Sequence, residues 1–366
     1  MTETELTTPA LVVDLGLLQQ NIDEAAELCR RGKATLRPHI KTHKCVEIAR
    51  MQMRAGAVGI TVQTAMEVEV FSHAGFDDIF LARPPIQPSD LDRLAGLAAT
   101  THLRIASDSP IGIRAIGEAC LRQGTELSVR IEIDAGLGRG GVRDLATLET
   151  QCLAIERQAN LHFDGVFGYE GQVYGSESKQ DLVHRATTAL DRVLALANPL
   201  RERSGRDFVI SMGSTPAFAV LADTSTPLEL RPGNYVFSDA KLAPLTGFER
   251  CAQSVLSTVI SRPSEQCCIL DCGMKSLAAE LHPMGMLQRT SFGHIVEYPV
   301  ARITSLSEEH AVADLSSCAT HPEIGERVHV VSNHACTTTN LHERINAVRD
   351  GCVEHTWTVT PRGVWS

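Results

Sequence analysis

The hydrophobic pattern divides the chain into two textures. In the first, short apolar and β-branched runs recur near residues 35–40, 58–62, 78–82, 102–106, 127–133, 163–168, 207–211 and 227–231. Between most of them apolar residues fall at helical spacing, over 44–55, 64–74, 89–99, 110–122, 144–158 and 178–203. Upstream, residues 10–13 read as a strand, and Asp14 can cap a helix whose inner face carries Leu17, Leu18, Ile22, Ala25 and Ala26. Eight strands alternating with helices over roughly 220 residues predict an α/β fold of the (β/α)8 TIM-barrel type. A doubly wound open sheet is the architectural alternative.

Beyond residue 245 long helical patterns become scarce. Runs at 253–260, 267–270, 294–305, 327–331 and 352–359 are β-rich, and turns such as Arg262-Pro263-Ser264 and Arg349-Asp350-Gly351 separate them. The expected organisation is a barrel domain over 14–245 and a β domain over 246–366, joined by residues 1–13.

Composition narrows the classes. The chain has 366 residues, 43% of them hydrophobic and 21% charged, as in a soluble globular protein. No apolar run reaches the roughly 18–20 residues that span a bilayer. The first residues, Met1-Thr2-Glu3-Thr4-Glu5, lack the basic start and apolar core of a signal peptide. The formal net charge of −10 argues against a nucleic-acid or anionic-membrane surface. The 11 cysteines are odd in number and include no C-x-x-C pair, which suits reduced thiols in a cytoplasm.

Barrel enzymes carry their chemistry in the loops after the strands. Five unusual clusters fall there. Lys41 ends the first run, in Leu36-Arg37-Pro38-His39-Ile40-Lys41-Thr42-His43-Lys44. Arg139 follows the fifth, in Asp134-Ala135-Gly136-Leu137-Gly138-Arg139. Tyr169, Glu170 and Gln172 follow the sixth, Gly213-Ser214-Thr215 the seventh, and Arg231-Pro232-Gly233-Asn234-Tyr235 the eighth. A glycine turn before a short helical stretch offers N–H donors to a phosphate, although the same residues also serve as plain turn formers. A lysine beside a phosphate site points to a Schiff base with pyridoxal phosphate. Burial and a neighbouring cation, Arg37 or Arg231, would favour the neutral amine.

These motifs together resemble the fold-type III pyridoxal phosphate enzymes. Within them they resemble the D-serine dehydratase and D-threonine aldolase family, relatives of alanine racemase. The resemblance implies that Lys41 carries pyridoxal 5'-phosphate and acts as the base at Cα. It places Arg139 near the cofactor's phenolic oxygen. Gly213, Ser214, Thr215, Gly233 and Asn234 would hold the phosphate, and Arg231 would face the pyridine nitrogen. Tyr169 and Gln172 would line the pocket. His43 is a further pocket candidate against a surface reading, which Lys44 shares. An arginine at the pyridine nitrogen makes the ring a weaker electron sink and leaves work for a second electrophile.

That electrophile is sought in Asn333-His334-Ala335-Cys336-Thr337-Thr338-Thr339-Asn340. On an extended strand His334 and Cys336 point to one face. Imidazole and thiolate suit Zn2+. An isolated H-x-C pair is as compatible with a structural role, but the resembling family carries a metal pair at this place. Its dehydratases have cysteine at the second position. Its aldolases have aspartate and take Mn2+ or Mg2+. The cysteine therefore favours a lyase that eliminates the β-hydroxyl of a D-amino acid such as D-serine, with retro-aldol cleavage to glycine and an aldehyde as the alternative. The only tyrosine of the β domain, Tyr298, lacks the racemase surroundings, so racemization is not expected. A non-catalytic cofactor carrier and a cofactor-free barrel are the remaining readings. Glu308-Glu309-His310 either lines the site or forms an exposed turn, and Lys275 is a third lysine candidate. The family resemblance also implies a homodimer.

Overall fold

The computed structural model describes residues 1–282 and 284–361. The chain forms two compact units. One comprises Met1–Glu24, Thr42–Glu47 and residues 234–361; the other comprises Ala25–Lys41 and Ile48–Gly233.

The second unit holds eight parallel strands, Thr35–Leu36, Ile60–Val62, Asp78–Leu81, His102–Ser107, Leu127–Glu132, Leu161–Phe167, Val209–Met212 and Glu229–Leu230. From Ile60–Val62 onward each pairs with its sequence neighbours, and the first lies beside the last, Leu36 opposite Leu230. The remaining edge is closed by Val58 N–H donating to the Leu36 carbonyl, Thr61 N–H donating to the Pro38 carbonyl, and a bridge between His39 and Thr61. The sheet is therefore a barrel, and an open sheet is excluded. Its strands fall on the eight apolar runs. The intervening helices include Ala65–His73, Pro88–Leu97, Pro110–Gln123, Leu145–Glu156 and Lys179–Ser204. Four of them start on a side-chain cap: Thr64, Ser109, Asp144 and Ser178 each accept the N–H three residues on. Such a cap contributes about 1 kcal/mol and fixes where the preceding loop ends.

The barrel interior is not wholly apolar. Arg37 pairs with Glu229 at 2.7 Å and also with Asp78. Asp78 accepts from Arg104 at 2.5 Å, Arg104 reaches Asp164 at 3.2 Å, and Arg130 joins Asp164 to Glu229 at 2.5 Å each. Three guanidinium groups and three carboxylates thus close a ring. Burial works against the Glu229 anion, but Arg130 and Arg37 outweigh it and hold the carboxyl far below the usual carboxylate range. Arg37, expected as a cation acting on Lys41, is committed to two carboxylates in this ring.

The first unit holds a nine-stranded, mostly antiparallel sheet. Ala10–Asp14 pairs antiparallel with Gln253–Ser264 and parallel with Arg344–Arg349, the latter paired in turn with Cys352–Thr358. The continuous strand expected over 294–305 is two short strands, His294–Ile295 and Arg302–Leu306. Tyr298-Pro299 turns the chain between them, and Ala301 N–H donates back to the Tyr298 carbonyl.

Candidate active site

The site is built from the barrel loops first. Lys41 lies in a single 3-10 turn, Ile40–Thr42, directly after the first strand's continuation. Its Nζ sits 5.9 Å from the centroid of the Tyr169 ring, and the Arg139 guanidinium lies 5.1 Å from the same ring. Tyr169 therefore brings the first, fifth and sixth loops together. The fifth loop is shaped by Asp134, whose Oδ1 accepts the N–H groups of Gly136 at 3.0 Å and Gly138 at 2.9 Å. Both glycines have positive φ, 109° and 73°, which a side chain would strain. The wrapped turn projects Arg139 to within 3.8 Å of Glu132. Gln172 donates to the Ala135 carbonyl at 2.9 Å, tying the sixth loop to the fifth.

Arg231 is buried against Phe80 and Phe167, with centroid distances of 5.6 and 5.3 Å. Its Nε donates to Ser211 Oγ and its Nη2 to the Gly168 carbonyl, both at 2.8 Å. Ser211 in turn donates to Glu229 at 2.7 Å. Burial lowers Arg231 to about 10, with Glu229 opposing. The group is still a cation at neutral pH and has only neutral direct partners.

The seventh loop passes a specific test for a phosphate. Ser214 Oγ and Thr215 Oγ1 are buried and have no hydrogen-bond partner among the described residues. The Thr215 and Gly233 N–H groups donate to nothing among the described residues. Unmade hydrogen bonds of this kind cost about 1–3 kcal/mol per buried group and are rare without a ligand to complete them. Hydroxyls and N–H groups suit a phosphate dianion, so the residues fit the cofactor's phosphate. Asn234 contributes differently from expectation. Its Nδ2 donates to Asp239, and its buried Oδ1 has no partner.

Two residues named in these motifs were given no role by the sequence. Glu170, fully buried, accepts the N–H groups of Gly213 and Ser214 and so anchors the seventh loop from below. His39, also buried, contacts Gln63 at 3.0 Å. Burial first, and then the charges of Lys41 and Arg231, push His39 well below the ordinary imidazole range, so it is neutral. The chain turns into the 3-10 stretch Ile40–Thr42 directly after His39, so strand alternation from Lys41 does not mark it.

The other unit holds the second cluster. His334 and Cys336 are not on an extended strand. His334 is the N-cap of the helix Ala335–Leu341, and Cys336 is in its first turn. The threonines that read as β-formers are accommodated by tertiary bonds. Thr338 Oγ1 accepts from Ala278 N–H, and Thr339 Oγ1 donates to the Ala335 carbonyl while accepting from Gln253. His334 and Cys336 are nonetheless brought together. Burial opposes the imidazolium, but hydrogen bonds to Cys336 and Glu280 outweigh it and push His334 up to about 10. Thr42 Oγ1 lies 3.2 Å from the Cys336 sulfur. Among the described residues no three His, Cys, Asp or Glu side chains converge on one point. An imidazole and a thiol side by side still suit Zn2+ as two protein ligands, the remaining positions being left to solvent and substrate.

His43 and Lys44 are buried rather than surface residues. His43 packs edge-on against Phe237 at 6.4 Å and accepts Cys45 N–H at 3.1 Å, and Lys44 donates to Asn340 at 3.0 Å. Glu308, Glu309 and His310 form an exposed turn, and Lys275 is paired there with Glu309 at 2.8 Å. The Tyr298 hydroxyl donates to Glu326 at 2.7 Å, and burial and this bond raise it to about 12, unlike a catalytic base.

A closed barrel with a lysine and unpartnered hydroxyls in the loops at its mouth, in a chain that also holds a β domain, fits the class of barrel enzymes that carry pyridoxal phosphate on a lysine. Comparison with known proteins narrows this. Residues 13–241 match the family of the alanine racemase N-terminal domain, and residues 252–348 match a serine dehydratase domain. The chain belongs to the alanine racemase-like family with a C-terminal serine dehydratase-type domain. A D-threonine aldolase from an Arthrobacter species is 32% identical, with 97% of this chain and 93% of that protein covered. A D-threo-3-hydroxyaspartate dehydratase from Delftia sp. HT23 is 31% identical, with 98% of each covered. The structure of the Delftia enzyme has a TM-score of 0.90 over 99% of this chain and all of that one. Similar structures also include a D-threo-3-hydroxyaspartate dehydratase as a histidine-to-alanine variant and, two positions further on, as a cysteine-to-alanine variant in a metal-free form. The structure of a D-threonine aldolase from Filomicrobium marinum, 28% identical, also has a TM-score of 0.90, over 98% and 97% of the two chains.

Proposed function

We propose that the protein is a pyridoxal phosphate- and metal-dependent lyase that eliminates the β-hydroxyl of a D-amino acid, giving a keto acid and ammonia. The observation that carries this reading is the placement of His334 and Cys336 two residues apart at the start of one helix, His334 as its N-cap and Cys336 in its first turn. A histidine and a cysteine at the same spacing are the residues altered in the D-threo-3-hydroxyaspartate dehydratase variants.

When bound, pyridoxal phosphate would draw electron density from the substrate's Cα. Lys41 would hold it covalently and then, freed by the substrate's amine, remove the Cα proton. Ser214, Thr215 and Gly233, with Gly213 and Asn234 completing the loops, would bind the phosphate. Tyr169, Gln172 and His43 would line the substrate pocket. Arg231, a cation held by neutral acceptors, would meet the ring nitrogen, and Arg139 the phenolic oxygen. His334 and Cys336 would hold the metal, Zn2+ by the softness of its donors with Mn2+ and Mg2+ as harder substitutes, and it would supply Lewis-acid activation of the β-hydroxyl.

Retro-aldol cleavage is the second reading. A D-threonine aldolase matches at 32% identity, against 31% for the dehydratase, so identity does not separate the two. We further propose a homodimer and a cytoplasmic site of action; no described helix is long and apolar enough to cross a membrane.

The test is product analysis. D-serine, D-threonine and D-3-hydroxyaspartate are supplied with and without a chelator, and keto acid plus ammonia is measured against glycine plus aldehyde. Elimination products that vanish with chelator support the reading. Glycine and aldehyde would transfer the assignment to the aldolase, and turnover indifferent to chelator would remove the metal from it.

A further inference from the structure

The turn that carries His334 is held by a residue far from it in sequence. His334 Nδ1 meets Glu280 Oε2 at 2.8 Å, and Thr337 Oγ1 donates to Glu280 Oε1 at 2.8 Å. The Glu280 backbone carbonyl accepts Asn333 Nδ2 at 2.8 Å. Glu280 therefore grips the 333–337 turn with three oxygens, one from the main chain and two from the carboxylate. A second anchor fixes the same turn from the buried side, where Asp239 accepts Ala335 N–H at 3.1 Å.

The pattern has a chemical consequence. With Nδ1 turned to a carboxylate, the imidazole has only Nε2 to offer a metal. A carboxylate on the distal nitrogen fixes the tautomer, locks the ring plane and raises the basicity of the ligating nitrogen. Thr337 completes the arrangement by holding the second carboxylate oxygen, which stops Glu280 from swinging into the coordination sphere. Nothing else in the sequence pattern marks Glu280, which lies in irregular chain between the strands Cys267–Leu270 and His294–Ile295.

We infer that Glu280, steadied by Thr337, is a positioning residue that orients His334 to bind a divalent metal through Nε2. The inference rests on the metal reading of His334 and Cys336 given above. It assigns Glu280 no contact with substrate.

The experiment measures metal affinity and not turnover. Zn2+ dissociation constants are obtained by competition with a chromophoric chelator for the full-length wild type and for Glu280→Ala, Glu280→Gln and Thr337→Val. Co2+ loading is followed through the thiolate-to-cobalt absorption, which reports the bond to Cys336. Thermal melting of the metal-free proteins checks the fold. The expected result is a loss of Zn2+ affinity of about tenfold to a hundredfold in Glu280→Ala. Glu280→Gln, which keeps an oxygen acceptor for Nδ1–H, recovers most of that loss. Thr337→Val gives a smaller loss with its melting curve retained. If Glu280→Ala is destabilised and yields no usable protein, Thr337→Val and Glu280→Gln decide the question alone. Variants that bind Zn2+ like the wild type, whatever their melting temperatures, overturn the positioning role and leave the metal reading standing. A wild type that binds neither Zn2+ nor Co2+ at Cys336 overturns both.

Discussion

Inside the barrel, Arg37, Arg104 and Arg130 close a ring with Asp78, Asp164 and Glu229, and every member has an opposite charge on each side. At the mouth, Ser214 Oγ, Thr215 Oγ1 and Gln172 Oε1 are buried without partners. Both regions are polar and largely buried, yet among the described residues one is complete and the other unfinished. The ring's charges are answered within the ring. The mouth keeps polar atoms that no described residue completes. Ser211 lies between the two, donating to Glu229 of the ring and accepting from Arg231 of the mouth. Thus the finished network sets the orientation of one residue in the unfinished one.

The contrast is broken most severely at Lys41. Lys41→Ala should abolish the visible cofactor band and lower turnover by about 10²–10⁴-fold, the range of a lost acid–base group, with unchanged urea unfolding. A retained band would mean that the lysine does not carry the cofactor.

The ring should respond in the opposite manner. Glu229→Ala leaves three buried guanidinium groups to share two carboxylates, one positive charge uncompensated, and should cost about 3–5 kcal/mol in urea unfolding. A cost below about 1 kcal/mol, the range of surface pairs, would show the ring to be solvated.

The ring also predicts a pH dependence. The folded carboxyl of Glu229 lies far below its unfolded value, so its contribution is fully present above the ordinary glutamate range. It is lost as pH falls through the folded value. Wild-type stability should therefore decline towards acid more steeply than that of Glu229→Gln, as read from urea midpoints across acidic buffers. Parallel declines would place the acid-sensitive group elsewhere.

The mouth gives the mildest and most diagnostic effect. Thr215→Val removes an orphaned hydroxyl, so the cofactor-free protein should be unchanged or about 0.5–1 kcal/mol more stable. Its affinity for pyridoxal phosphate should fall by about tenfold, the equivalent of one hydrogen bond to a charged group. Equal affinity in wild type and variant would remove Thr215 from the phosphate site.

Much of the barrel was legible because it rests on local rules. The strand runs and the caps Thr64, Ser109, Asp144 and Ser178 are short-range signals, and the strand-end rule then picked out Lys41, Arg139, Tyr169, Gly213 and Arg231. The β domain was read less well. A turn at Tyr298-Pro299 interrupts one expected strand, and Thr337-Thr338-Thr339 reads as β-forming but folds as helix. There the Thr337, Thr338 and Thr339 hydroxyls are taken by Glu280, Ala278 and Gln253, partners that local propensity does not contain.

By itself, the sequence determined the periodicities, and with them the barrel, the position of Lys41 at the end of a strand and the chemistry of a histidine two residues from a cysteine. Only the tertiary structure decided which charges meet. Arg37 could have served Lys41, but Asp78 and Glu229 claim it. Glu170 stood in a mouth cluster without a role and Glu280 carried no mark, until the fold placed one under the Gly213-Ser214 turn and the other on His334. Hydrogen bonds and ion pairs act over about 3 Å. Whether residues dozens of positions apart come within that distance is set by how the strands close and how the loops return, which no local pattern of the chain records.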